Sequence, residues 1–148
     1  MSHDQTEANL ELVLDWIGAL RRNDIESLAD RFHPDVTWQD VAGSVACRGR
    51  EQVLAWLRAS LARPHQVDAL ELVANRDHVV LGVHDESREE LAGVELHGQL
   101  FTVFTVRDGQ IVQLRDHAQR ANAFAEAGRS DHSGADATTS PRRRSCRP

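Results

Sequence analysis

Apolar residues recur with helical spacing in the first part of the chain and alternate with polar ones further on. Leu10, Val13, Leu14, Ile17 and Leu20 repeat at three- and four-residue intervals, with Trp16 flanking them. That spacing lays one apolar stripe along a helix over about Thr6 to Arg22. Asn23-Asp24 breaks the stripe and caps a second helix, Ile25 to Phe32, with Ile25, Leu28, Ala29 and Phe32 on one side. His33-Pro34-Asp35 ends it, because proline disfavours helix in the residue before it. A short strand, Val36 to Val41, and a loop, Ala42 to Arg48, precede a third helix that opens at Gly49-Arg50-Glu51. Its apolar set is Val53, Leu54, Trp56, Leu57 and Leu61, with Pro64 beyond its end. The pattern then turns to strands: Val67 to Ala74, His78 to Ser87, Val94 to Arg107 and Gln110 to Arg120. Asn75-Arg76-Asp77 and Arg107-Asp108-Gly109 supply tight turns, the Asp-Gly being a hairpin signal.

Three aspartates interrupt this alternation. Asp40 has the parity of Val36 and Trp38. Asp85 has that of Val79, Leu81 and Val83. Asp116 has that of Val112, Leu114 and Ala118, while Gln113, Arg115 and His117 take the opposite face. Successive strand residues point to opposite faces, so all three carboxylates are expected to face inward. A buried carboxylate is protonated, paired or catalytic, because burying an unpaired charge is costly. Carboxylates sharing a dry cleft cannot all ionise, which leaves a protonated acid beside an ionised base.

Helices first and antiparallel strands later define an α+β fold: three N-terminal helices on a curved, mainly antiparallel sheet around a central pocket. Residues 1–127 form one domain, and 128–148, rich in Ser, Asp, Thr, Gly, Arg and Pro, form a disordered polar tail. With 41% hydrophobic and 27% charged residues, the 148-residue chain can fill a core. Its net charge of −6 argues against binding nucleic acid or an anionic membrane. The N-terminus lacks a signal-peptide pattern, and no apolar run reaches a membrane span. Cys47 and Cys146 make no disulfide framework, so a cytoplasmic setting is expected. The eight histidines are scattered, without paired metal-ligand spacing, and no phosphate-binding glycine loop occurs. Neither a metal nor an organic cofactor is expected.

The segments ALRRNDIESLADRFHPDVTWQD, RGREQVLAWL and VRDGQIVQLRDH resemble the SnoaL-like, or nuclear-transport-factor-two-like, cone fold over roughly Asn9 to Gly128. That superfamily includes limonene epoxide hydrolase, ketosteroid isomerase and polyketide cyclases. By this resemblance Arg115-Asp116 matches the Trp-Arg-Asp of the epoxide hydrolase, whose aspartate activates water. Asp85 falls at its proton-donating aspartate, and Trp38-Gln39-Asp40 at its water-holding Tyr-Gln-Asn. Asp40 also matches the proton-shuttling aspartate of ketosteroid isomerase. The chain departs from both patterns: Val83 stands where the epoxide hydrolase carries an arginine between its aspartates. There is no tyrosine. Trp16 stands at the isomerase's phenol, and Thr102 or Val103 at its second acid.

The expected function is therefore a cofactor-independent acid–base enzyme, with Asp116 as base, Asp85 as acid and Asp40 as water-orienting or alternate base. Epoxide ring-opening, by water or an internal hydroxyl, is the first reading. The alternatives are a proton-shuttling isomerase or cyclase centred on Asp40, and a non-catalytic binding module. The ligand is expected to be a hydrophobic small molecule against Trp16, Ile17, Trp38, Leu57, Leu61, Leu100 and Leu114. A homodimer is expected from the resemblance alone.

Overall fold

A computed structural model describes residues 3–61, 68–84, 90–91, 94–96 and 98–128. The expected tail and Asp85 lie outside the described residues. The chain runs α1 (His3–Arg21), a 3₁₀ helix (Ile25–Arg31), β1 (Phe32–Gln39), β2 (Val45–Arg48), α2 (Arg50–Leu61), β3 (Asp68–Asn75) and β4 (His78–His84). The short strands β5 (Glu90–Leu91) and β6 (Val94–Glu95) follow, then β7 (Gln99–Arg107), β8 (Gln110–His117) and α3 (Arg120–Ala127). Six strands form one open, curved sheet in the order β2-β1-β8-β7-β4-β3, and β5 pairs with β6 separately. Among the described residues only the β1–β8 pairing is parallel; the other pairs are antiparallel.

The inner face of this sheet carries the main core. Leu12, Val13, Trp16 and Ala19 of α1 pack with Val53, Leu54 and Leu57 of α2 over Val36, Trp38, Val79, Leu81, Phe104, Ile111 and Leu114. A smaller cluster lies on the outer face, where Ala123 and Ala127 of α3 cover Val80, Phe101 and Val103, with Phe124 beside them. The central strands are thus buried on both faces.

Several elements differ from the sequence reading. The second helix is a 3₁₀ helix, and Phe32 already begins β1, with extended backbone (φ −104°, ψ 137°). Asp24 makes no side-chain cap bond there; the break is made by Asn23 at φ 58°. Residues 45–48 form a strand antiparallel to β1, where a loop was expected. The long strand over Val94 to Arg107 divides into β6 and β7. The last strand stops at His117, and Arg120 opens a helix whose alanines suit close packing on the sheet. Leu14 is exposed; the buried stripe of α1 runs through Leu12, Val13, Trp16 and Ala19. Buried Asn9 fastens that helix to the β3–β4 turn by donating to the Arg76 carbonyl at 3.1 Å.

A bulge in β8 fixes the register of the last hairpin. Asp108 (φ 53°) and Gly109 (φ 77°) both adopt left-handed backbone, the turn that suits a two-residue hairpin. Arg107 pairs with Gln110 and Val106 with Ile111, but Thr105 pairs with Gln113, leaving Val112 as an extra residue. An inserted residue swaps the faces on either side of it. Ile111, not Val112, therefore turns fully into the core.

Candidate active site

Asp116 is buried at the inner face, as its parity with Leu114 requires. The β8 bulge sets Thr102 of β7 directly opposite it. Thr102 donates its hydroxyl to Asp116 Oδ1 at 2.9 Å. Trp38, brought alongside by the parallel β1–β8 pairing, donates its indole N–H to Asp116 Oδ2 at 3.0 Å. Trp56 of α2 packs on the Trp38 ring with centroids 4.8 Å apart. Both carboxyl oxygens thus have a protein donor inside an otherwise apolar layer.

Burial pushes the Asp116 carboxyl up from its ordinary 3.8 to about 6. The Thr102 and Trp38 hydrogen bonds and the neighbouring His117 pull it down, and the charge of Asp40 adds a smaller upward push. Desolvation outweighs both donors, and among the described residues no opposite charge hydrogen-bonds to the carboxylate. A carboxyl poised near neutrality can act as base or acid at ordinary pH.

The other sequence candidates separate. Asp40 follows β1 and closes the β1–β2 loop: its Oδ1 accepts the amides of Ala42 at 2.9 Å and Ser44 at 3.0 Å. That commits one oxygen to the loop, although the charge is still felt at Asp116. Leu57 and Leu114 are buried in the core, Ile17 packs half-buried against it, and Leu100 is half-buried opposite Val83. The Leu61 side chain lies outside the described residues. Trp16 meets Phe104 edge-on, with centroids 5.0 Å apart and planes at 78°. Its buried indole N–H has no partner among the described residues.

Three outer-face residues take roles that alternation alone does not give. His117 and Arg115 do not stand free: α3 lies over them, and Glu126 bridges His117 Nε2 at 2.7 Å and Arg115 at 3.5 Å. Arg120 opens α3 and forms a two-point pair with Glu71 of β3, 2.7 Å at the shorter contact, so it does not replace the arginine missing at Val83. Cys47 is buried and disulfide-bonded, where no disulfide was expected from two distant cysteines, whose spacing carries no pairing information. Among the described residues no group of three or more His, Cys, Asp or Glu could hold a metal, and no helix is long and apolar enough to cross a membrane.

Sequence reasoning missed Thr102 as the partner of Asp116. Its parity with Leu100, Phe104 and Val106 was readable. Its register was not, since an unbulged hairpin would have set Arg115 opposite it.

This arrangement, helices cupped against one face of an open sheet with an aspartate in the last strand, is the nuclear-transport-factor-two-like cone. A family model described as a SnoaL-like domain matches residues 13–114, and the chain belongs to that family. Among solved structures, the chain is similar to an epoxide hydrolase of the limonene type from M. tuberculosis: 21% identity, 81% of this chain and 89% of that one, TM-score 0.61. It is similar to a proposed polyketide cyclase from Sinorhizobium meliloti (24% identity, 72% and 94%, TM-score 0.57). It is also similar to a nuclear-transport-factor-two-like protein of unknown function from Mesorhizobium loti (15% identity, 76% and 92%, TM-score 0.63). At these identities the likeness establishes the fold alone. No curated protein is significantly similar to the chain.

Proposed function

We propose that the protein is a cofactor-independent acid–base enzyme acting on a mainly apolar small molecule, with Asp116 as the proton-transferring group. The observation that carries this reading is a buried carboxyl, held at both oxygens and raised to about 6. The partners of this carboxyl are a hydroxyl and an indole, neither of which cancels its charge, so burial leaves it titrating near neutrality. Ring-opening of an epoxide uses such a group directly. Ionised Asp116 takes a proton from water while the water oxygen bonds to an epoxide carbon. The carbon–oxygen bond breaks and the ring oxygen takes a proton from an acid, for net addition of one water. Asp85 is the residue proposed as that acid. Asp40 fits a supporting role better than a shuttling one, because its loop hydrogen bonds hold it in place.

The test is conversion of a panel of alicyclic epoxides in ¹⁸O-water, read by mass spectrometry. Conversion by the wild type should fall at least about 100-fold in Asp116→Asn, the usual size of a lost acid–base contribution. Conversion that survives the substitution would refute the role of Asp116. Ligands that bind and are recovered unchanged would favour the binding-module reading, for which Val83 and the absent tyrosine speak. The same reading takes a homodimer. Because α3 occupies the outer face of β4, β7 and β8, pairing through the sheet would use the strands beyond it, and sedimentation equilibrium measures this.

A further inference from the structure

We propose that Thr102 is the positioning residue that decides which oxygen of Asp116 carries the exchangeable proton, and that this oxygen is Oδ1. The proposal deepens the acid–base reading above and rests on it for its functional meaning. Its physical basis is the unequal chemistry of the two donors. An indole N–H can only donate, whereas a threonine hydroxyl can donate or accept. With Asp116 ionised, Trp38 donates to Oδ2 and Thr102 to Oδ1. When the carboxylate takes a proton from water or a ligand, that molecule keeps the electron pair and becomes one unit more negative. The new O–H then needs an acceptor.

On Oδ1 it has one, the Thr102 oxygen 2.9 Å away, once the hydroxyl rotates and turns its own hydrogen elsewhere. Oδ2 meanwhile remains a carbonyl oxygen, the better acceptor, and keeps the Trp38 bond. On Oδ2 the new O–H would face a group that cannot accept, and the Trp38 bond would weaken to one made with a hydroxyl oxygen. Each arrangement sends one O–H to look for another acceptor, that of Thr102 in the first and that of Asp116 in the second, but the first keeps two good hydrogen bonds and the second one good bond and one weakened one. Thr102 is therefore a reversible partner and Trp38 a fixed one. The charged or titratable groups felt by Asp116 besides these are His117, its chain neighbour on the outer face, and Asp40 beyond β1. Neither hydrogen-bonds to it among the described residues, so neither selects an oxygen.

The experiment is infrared difference spectroscopy between about pH 4 and about pH 8, on either side of the Asp116 transition, with Asp116→Asn identifying its carbonyl band. If the proton sits on Oδ1, the carbonyl is Oδ2. Trp38→Phe then raises its stretching frequency, while Thr102→Val leaves it nearly in place and moves the titration midpoint upward. Thr102→Ser restores the wild-type midpoint, which a mere packing role for the residue would not require. The opposite pattern, a carbonyl band moved by Thr102→Val and untouched by Trp38→Phe, puts the proton on Oδ2 and overturns the proposal. So does a Thr102→Val protein that titrates like the wild type. Should Trp38→Phe fail to fold, the Trp38 indole proton resonance of the wild type serves instead. It should stay at a hydrogen-bonded position on both sides of the transition, and its move to an unbonded position on protonation would overturn the proposal. None of these measurements uses a substrate. An Asp116→Asn protein that retains turnover would defeat the functional reading while leaving the proton placement standing, and the reverse outcome is equally distinguishable.

Discussion

Replacing Asp116 by asparagine should stabilise the protein at neutral pH and do almost nothing to its stability in acid. Asparagine has nearly the same shape. Its carbonyl can accept the Trp38 N–H and its amide can donate to the Thr102 hydroxyl, so both hydrogen bonds survive without a charge. The wild-type carboxyl is raised from 3.8 to about 6, mainly by burial. At about 1.4 kcal/mol per pKa unit this rise corresponds to about 3 kcal/mol. Below the unfolded value, 3.8, the group is protonated in both folded and unfolded chains, and the stability it allows is fully present. Between 3.8 and about 6 the unfolded chain releases a proton that the folded chain retains, so stability falls; above about 6 the loss is complete and constant. The variant has no such step. Urea denaturation followed by tryptophan fluorescence, for both proteins across this range, should give a difference that grows with pH to about 3 kcal/mol in favour of Asp116→Asn. In thermal melts at about pH 8 that is on the order of 10 °C. Taking the difference cancels every other titrating group common to both proteins. A difference flat to within about 0.5 kcal/mol would mean that Asp116 is solvated or paired, and the acid–base argument would lose its basis.

Asp40→Asn keeps an acceptor for the Ala42 and Ser44 amides but removes the charge that pushes Asp116 upward; the Asp116 midpoint, followed by carboxyl-carbon NMR, should fall while the melting temperature holds. Gly82→Ala would bring a Cβ to 2.7 Å from the Phe101 ring beneath α3, and should lower stability by about 1–3 kcal/mol in denaturant titrations; an unchanged midpoint would mean that the ring moves aside freely. Glu126→Ala removes the bridge from α3 to His117 and Arg115, and should speed amide hydrogen exchange in Arg120–Ala127 by about tenfold while leaving the β4 and β7 amides protected.

The sequence by itself determined the α+β order, the hairpin at Asp108-Gly109 and the inward face of Asp116. These follow from local periodicity and turn chemistry, which are written into neighbouring residues. It also placed Trp38 and Leu114 on the inner face. It could not give the second strand of the first hairpin, because Val45 to Arg48 is too short to show alternation and forms only against β1. Nor could it give α3. Arg120 continues the apparent parity of the last strand and hides the helix start; the alanines of residues 120–127 favour helix locally, but only the sheet's outer face, which Ala123 and Ala127 cover, gives that helix its place. The site itself depended on the same kind of information. That Asp116 faces inward is a local fact; that Thr102 stands opposite it depends on one extra residue, Val112, in a strand whose pairing is set across the whole sheet. Register, unlike parity, is a relation between distant segments, and only packing of the inner face against α1 and α2 fixes which pairing buries the apolar set and leaves Asp116 between a hydroxyl and an indole.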